Sequence, residues 1–254
     1  MNRQQALLDF LIYSYFKIVP KELYHDSGKT DYSDYCIKKA IMKAYEDATN
    51  QGAYNTLFRK TIEAEKLKEL KAASDAARKD SSEFLFSQIQ KLRAFAGNYE
   101  EWHKDTCEEI RGKYSAVYLE KDTPFFTYGN AQKWVNMSMK YIWMLGFLPA
   151  EVPESALHIP VDSYIIDALW DASQSIKFPL KEGVSVERTR SYEKPSENVI
   201  GWSQWERSDY RDTFRNSIRN DTFTLAWENN AWIEAAEKRK KADLEKQHAL
   251  FWEK

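Results

Sequence analysis

Residues 128–146 read YGNAQKWVNMSMKYIWMLG, and two apolar periodicities run through them. Trp134, Met137, Tyr141, Met144 and, just beyond, Leu148 follow one helical face, while Val135, Met139 and Ile142 mark a second. A helix apolar on two faces is surrounded by protein, so residues 130–146 are expected to form a central helix. The strip left over carries Lys133, Asn136 and Lys140, at i, i+3 and i+7. Two readings are open. Most charged stripes on helices face water, but a narrow polar strip on an otherwise buried helix suits equally well the wall of a cleft. The difference is chemical, because a lysine in a low-dielectric cleft loses proton affinity and becomes a usable amine nucleophile.

On either side the pattern stays helical. Leu7, Leu8, Leu11, Ile12 and Tyr15 predict a helix over 3–18 that stops before Pro20. Cys36, Ile37, Ala40, Ile41, Ala44, Tyr45 and Ala48 share one face of a helix over about 33–50, which Gly52 ends. A charged helix is expected over 56–78. A separate one opens at the serines of DSSEFLFSQIQKLRAFAG, where Ser suits an N-cap, and another spans 99–115. After the quoted stretch comes a connector, 147–161, with Pro149, Pro153 and Pro160. A helix then starts near Asp162 and runs to about 173. Residues 174–200 read as irregular, with room for a short strand or two, and helices near 207–225 and 229–250 close the chain. There is no repeat period and no alternation to support a sheet. The expectation is all-α, with at least seven helices and no sheet of more than three short strands. The chain, 1–254, is expected to be a single bilobal helical domain with a cleft between lobes 1–120 and 121–254.

A chain of 254 residues builds a core without staples, and 43% apolar with 30% charged residues excludes a disordered class. Aromatics reach 15%; such rings fill cores and also line pockets that stack flat ligands. Cys36 and Cys107 alone give no disulfide framework and no zinc spacing, so a reducing, cytoplasmic setting is expected. The opening MNRQQALLDFLIYSYFKIVP is broken by Asp9 and Lys17 and reads as neither a signal peptide nor a span. No membrane partner is expected.

A net charge of −2 removes any global pull towards nucleic acid, so attraction has to be local. The candidate clusters are Lys38, Lys39 and Lys43 on one helix and Arg211, Arg215 and Arg219 on another. The arginines stand at i, i+4 and i+8, which on a helix makes one stripe able to track phosphates. Asp209, Asp212 and Asp221 lie close enough in sequence to neutralise it. There is no Gly-rich phosphate loop, GxSxG, HExxH or deaminase pattern, and no cofactor is expected.

The second informative stretch is HIPVDSYIIDALW, residues 158–170. Pro160 and Val161 impose an extended approach, and Asp162 stands where a helix begins. Capping alone would explain an Asp there. A capping carboxylate is also fixed in direction by backbone N–H groups and favoured as the anion by the helix dipole. That suits a group that stabilises a nearby cation or orients a water. His158, beside it, reads as a loop histidine.

Together these residues carry a likeness. AQKWVNMSMK, a proline-rich connector and PVD at the next helix start resemble the helix-hairpin-helix DNA glycosylases, most closely the divergent archaeal 8-oxoguanine DNA glycosylase branch. The likeness covers about residues 124–170. Where that family's hairpin has two glycines around a small apolar residue, this chain has DTPFFTYGNAQ, with Gly129 alone. The resemblance implies an all-α fold of two lobes and a monomer that extrudes a nucleotide from DNA and cleaves its glycosidic bond. Lys133 matches the family's Schiff-base nucleophile, with Lys140 as the alternative, and Asp162 matches the carboxylate that stabilises the sugar cation. Asn136, Tyr128, Tyr164 and Trp202 are then expected at the substrate. Trp134 and Trp205 lie near the same region of sequence, although any one of these aromatics belongs more often to a core. The aromatic load and the long 174–200 segment leave room for a bulky modified base, as in modified viral DNA. The rival expectation is a non-enzymatic helical scaffold for nucleic acid or protein, with a solvated stripe and the charged EAAEKRKKADLEKQ segment as its contact surface.

Overall fold

The computed structural model describes residues 3–26, 31–49, 64–94, 96–114, 126–185, 195–219 and 221–252; the predicted start of the charged helix at 56 lies outside them. The helices in order are α1 (Arg3–Phe16), α2 (Lys21–Asp26), α3 (Tyr32–Ala48), α4 (Ala64–Lys91), α5 (Tyr99–Lys113), α6 (Tyr128–Met144), α7 (Ser163–Ala172) and α8 (Leu225–Trp252). Short 3-10 turns and one π-helical turn, Ser208–Phe214, fill the connections. The only β pairing among the described residues is a bridge between Leu180 and Val199. The fold is all-α, as the periodicity required. No helix among the described residues is long and apolar enough to cross a membrane.

The chain divides into two compact units, Met1–Leu157 and His158–Lys254. The division falls after Leu157 and not between 120 and 121, because α6 belongs to the core of the first unit. There it packs on α3 and α5. Trp134, fully buried, gives its indole N–H to the Ile41 carbonyl at 2.9 Å and meets the Tyr45 ring at 4.9 Å. Tyr114 and Phe126, both fully buried, stack at 4.0 Å. A capping box holds the start of α6: Thr127 Oγ1 accepts from the Asn130 N–H, and Asn130 Oδ1 accepts from the Thr127 N–H.

Three sequence expectations change. The two helices read at 56–78 and from Asp80 onward are one, α4. Its serines do not cap: Ser82 Oγ bonds back to the Arg78 carbonyl at 2.7 Å, and Ser81 is fully buried in mid-helix. A short helix, α2, follows Pro20, whose carbonyl accepts from the Tyr24 N–H. In the second unit, the helix expected over 207–225 is the π-helical turn, a 3-10 turn at Arg215–Ser217 and then an extended Ile218. The arginine stripe therefore does not form. Arg211 lies in the π turn, Arg215 in the 3-10 turn and Arg219 beyond both, in an ion pair with Asp221 at 2.7 Å. Spacing of i, i+4 aligns side chains on an α-helix and not across a change to wider and then tighter turns. α7 packs on α8.

Candidate functional site

Thirteen of the seventeen residues of α6 are buried, and the polar strip is among them. Lys133 is 7% exposed, Asn136 0% and Lys140 8%. The strip is not a solvated face. Its middle member belongs to a buried chain of hydrogen bonds. Asn136 Nδ2 donates to Gln132 Oε1 at 2.9 Å, and Gln132 Nε2 donates to the Gly129 carbonyl at 3.0 Å. Asn136 Oδ1 is left as the acceptor towards His103 Nε2 at 2.8 Å, so that nitrogen carries the imidazole proton. His103, Asn136 and Gln132 are all fully buried. Cys107 Sγ lies 3.8 and 3.7 Å from the two nitrogens of His103, so it sits against the ring and not along one lone pair. Asn136 was expected at the substrate; its carboxamide instead joins α5 to α6 from within. Tyr128, also expected there, is fully buried in the first turn of α6.

A second polar cluster ties α1 and α6 to α3. Asp47 Oδ2 accepts from the hydroxyls of Tyr15 at 2.7 Å and Tyr141 at 2.6 Å, and Asp47 Oδ1 accepts from Lys43 Nζ at 2.7 Å. Burial first, and then the bond to the Asp47 carboxylate, push the Tyr141 hydroxyl far above the ordinary tyrosine range. Tyr15 is raised as well, chiefly by burial. For Lys43 burial acts downward, but the bond and charge of Asp47 outweigh it and the ammonium ends above its ordinary value. Lys43 is thus committed to Asp47. Lys38 lies over the Phe86 ring at 4.5 Å and Lys39 over Tyr35 at 5.6 Å. The basic cluster read on α3 is laid along aromatic rings.

In the second unit Asp162 caps α7. Its Oδ1 accepts from the Tyr164 N–H at 2.9 Å and the Ile165 N–H at 3.1 Å, and its Oδ2 accepts from the Trp232 indole at 3.0 Å. The carboxylate is fixed from both sides. Tyr164 lies between two partners, the Trp232 ring at 5.2 Å and the Arg239 guanidinium at 4.1 Å. Arg239 also pairs with Asp167 and donates to Ser163 Oγ, the Ser163 carbonyl and Ser196 Oγ. Asp167 Oδ1 accepts from the Ser196 N–H, so this network joins α7, α8 and the turn at Pro195–Glu197. A groove of about 660 Å³ between α7 and α8 includes Asp167, Asp171, Lys238 and Arg239, charges of both signs that select no ion. His158 is buried: Arg215 Nε donates to its Nε2 at 3.1 Å, which leaves the proton on Nδ1, facing the Tyr210 hydroxyl at 3.1 Å. Trp202 is half-buried in a 3-10 turn, and Trp205 is core, its indole donating to the Ile200 carbonyl.

The sequence reading missed His103, Gln132, Arg239 and Asp47. For His103 a signal was present: it shares the apolar face of α5 with Cys107 four residues on, and a polar side chain on such a face needs a buried partner. Arg239 lay inside a run of charges that reads as a solvated face. Lys133 belongs to the first unit and Asp162 to the second. The described residues contain no group of His, Cys, Asp and Glu able to hold a metal ion. The chain matches no protein-family model, no curated protein and no solved structure.

Proposed function

We propose that this protein is a DNA N-glycosylase that extrudes a modified nucleotide and cleaves its glycosidic bond. The observation that supports it is the burial of the amine-bearing strip of α6 within a helix whose other faces are already apolar. Lys133 and Lys140 are both held on this buried helix, and a lysine amine fixed in place is a group able to attack a sugar carbon and form a Schiff base. In the proposed step the Lys133 lone pair forms a bond to the sugar C1′ and the C1′–N bond breaks. The bonding pair leaves with the base, which takes up a proton. Loss of a proton from the amine and opening of the sugar ring give a Schiff base. Asp162 is a carboxylate whose direction is set by two backbone N–H groups and an indole, the kind of group that offsets positive charge developing on a sugar. His103, Asn136 and Gln132 hold the helix that carries the amine. A bulky modified base, as in altered foreign or viral DNA, is the proposed target, and Tyr164 and Trp202 are its proposed aromatic contacts.

Borohydride trapping with DNA containing an abasic site tests this directly. The parent protein is expected to give a covalent adduct that Lys133→Gln abolishes and Lys140→Gln leaves. The reverse pattern transfers the role to Lys140. Absence of any adduct or base release, across abasic and modified substrates, rejects the enzyme. It favours the second reading, a helical scaffold, whose supporting feature is the exposed run of Glu237, Lys238, Lys240, Lys241 and Glu245 on α8.

A further inference from the structure

Helix α1 exposes most of its large apolar side chains, whereas on α6 Met144 alone is exposed. Leu7, Leu8, Phe10, Leu11, Tyr13 and Tyr15 are 56, 46, 65, 50, 51 and 45% exposed, and the helix buries only Phe16. The helix is nevertheless held in place. The Tyr15 hydroxyl is bonded to Asp47 and Tyr141, Phe16 meets the Tyr141 ring at 5.1 Å, and Lys17, at φ 56°, ends the helix with its N–H on the Tyr13 carbonyl. α1 is a fixed apolar ridge anchored at its C-terminal end. A surface helix of this kind marks an interaction site.

Its charge identifies the occupant. Arg3 and Asp9 are the only charged residues of α1, and Asp9 accepts from Gln5 at 2.8 Å. Nucleic acid finds no row of cations there. A helix lying on a lipid surface carries Lys and Arg along its polar side, which α1 lacks. A surface with almost no charge is complemented by one equally neutral and apolar, and another α1 is such a surface. Phe10, Leu7, Leu11, Tyr15 and Leu8 fall within about 160° of the helix, and Tyr13 lies outside that face. With two aromatics of roughly 150–250 Å² each and three leucines, about half exposed, the face offers on the order of 400 Å². Two copies then bury about 800 Å², the scale of a weak, reversible interface.

We propose that α1 is the interface of a symmetric dimer, in which two copies of this chain pack their α1 ridges antiparallel. That replaces the single copy expected from sequence. Sedimentation equilibrium and light scattering on the full chain are expected to give twice the chain mass, and to go on doing so at high salt because no ion pair holds the contact. Phe10→Glu and Leu11→Glu are each expected to halve the mass with helical content by circular dichroism unchanged. Met144→Glu, at an apolar residue 52% exposed on another helix, should leave the dimer intact. A parent protein of single-chain mass at every concentration overturns the proposal, and so does a dimer that survives both α1 substitutions. Single chains that float with liposomes, or that bind a different protein through α1, would identify another occupant and equally overturn self-association.

Discussion

α6 and α1 invert one another. α6 buries two lysines, a glutamine and an asparagine; α1 exposes three leucines, a phenylalanine and two tyrosines. The difference lies in neighbours more than in composition. α6 is packed by α3 and α5, and its polar atoms find partners there, whereas α1 meets the rest of its unit mainly through Tyr15 and Phe16. Apolar periodicity announces a helix, but the elements around it determine which of its faces are covered.

The sharpest way to break this comparison is to make the same kind of truncation on both helices. Ile142→Ala in α6 empties a fully buried site and is expected to cost about 2–5 kcal/mol of unfolding free energy. Leu11→Ala in α1, measured in chains dilute enough to be single, should stay within about 0.5 kcal/mol. Denaturant melts of the two variants decide it. Equal losses would mean that α1 is as much a part of the core as α6.

The polar interior of α6 makes the next prediction. Asn136→Leu leaves the His103 Nε2–H and Gln132 Oε1 without their bonds, at a cost of roughly 1–3 kcal/mol for each buried group. Adding His103→Phe replaces one of those partners by an apolar ring, so part of the loss should return. A double variant no better than Asn136→Leu alone would show that the His103–Asn136 bond carries none of the loss.

Much of this was legible in the sequence. The all-α class and the central place of α6 followed from apolar spacing, as did the start of α7 from Asp162. The depth of the Lys133–Asn136–Lys140 strip did not. Spacing puts three residues on one face without saying whether water or protein covers it, and the answer required α3 and α5, which are distant in sequence. The Arg211, Arg215 and Arg219 stripe failed for a local reason, since nothing in the residue types revealed a π turn running into a 3-10 turn. Serine at 81 and 82 misled because its hydroxyl caps a helix start and back-bonds within a helix equally well.

Alkaline pH probes the anchor between the two helices. Tyr141 and Tyr15, with Tyr114 deeper in the same unit, have hydroxyls pushed above the ordinary tyrosine value, first of all by burial. A folded pKa above the unfolded one gives stability that is complete below the unfolded value and lost as pH rises through it towards the folded one. The melting temperature should therefore fall as pH passes above about 10. Tyr141→Phe, which keeps the ring and removes the hydroxyl, should shallow that fall. A melting temperature independent of pH from about 8 to 11 would contradict the assignment.

The smallest expected effect is at Asp162, and it separates capping from chemistry. Asn caps a helix nearly as well as Asp, and its Oδ1 can keep the Tyr164 and Ile165 N–H bonds. Its Nδ2, however, would face the Trp232 indole N–H, donor against donor, where the carboxylate now accepts. Asp162→Asn should thus lower stability by about 0.5–1 kcal/mol, the worth of one hydrogen bond near the surface. Asp162→Ala, which loses cap and indole together, should cost about 1–2 kcal/mol. If Asp162 serves the sugar cation, Asp162→Asn removes base release while most of the stability stays, because the charge disappears and the cap does not. A protein that melts as expected and still releases base at the parent rate would leave Asp162 a cap for α7 and nothing more.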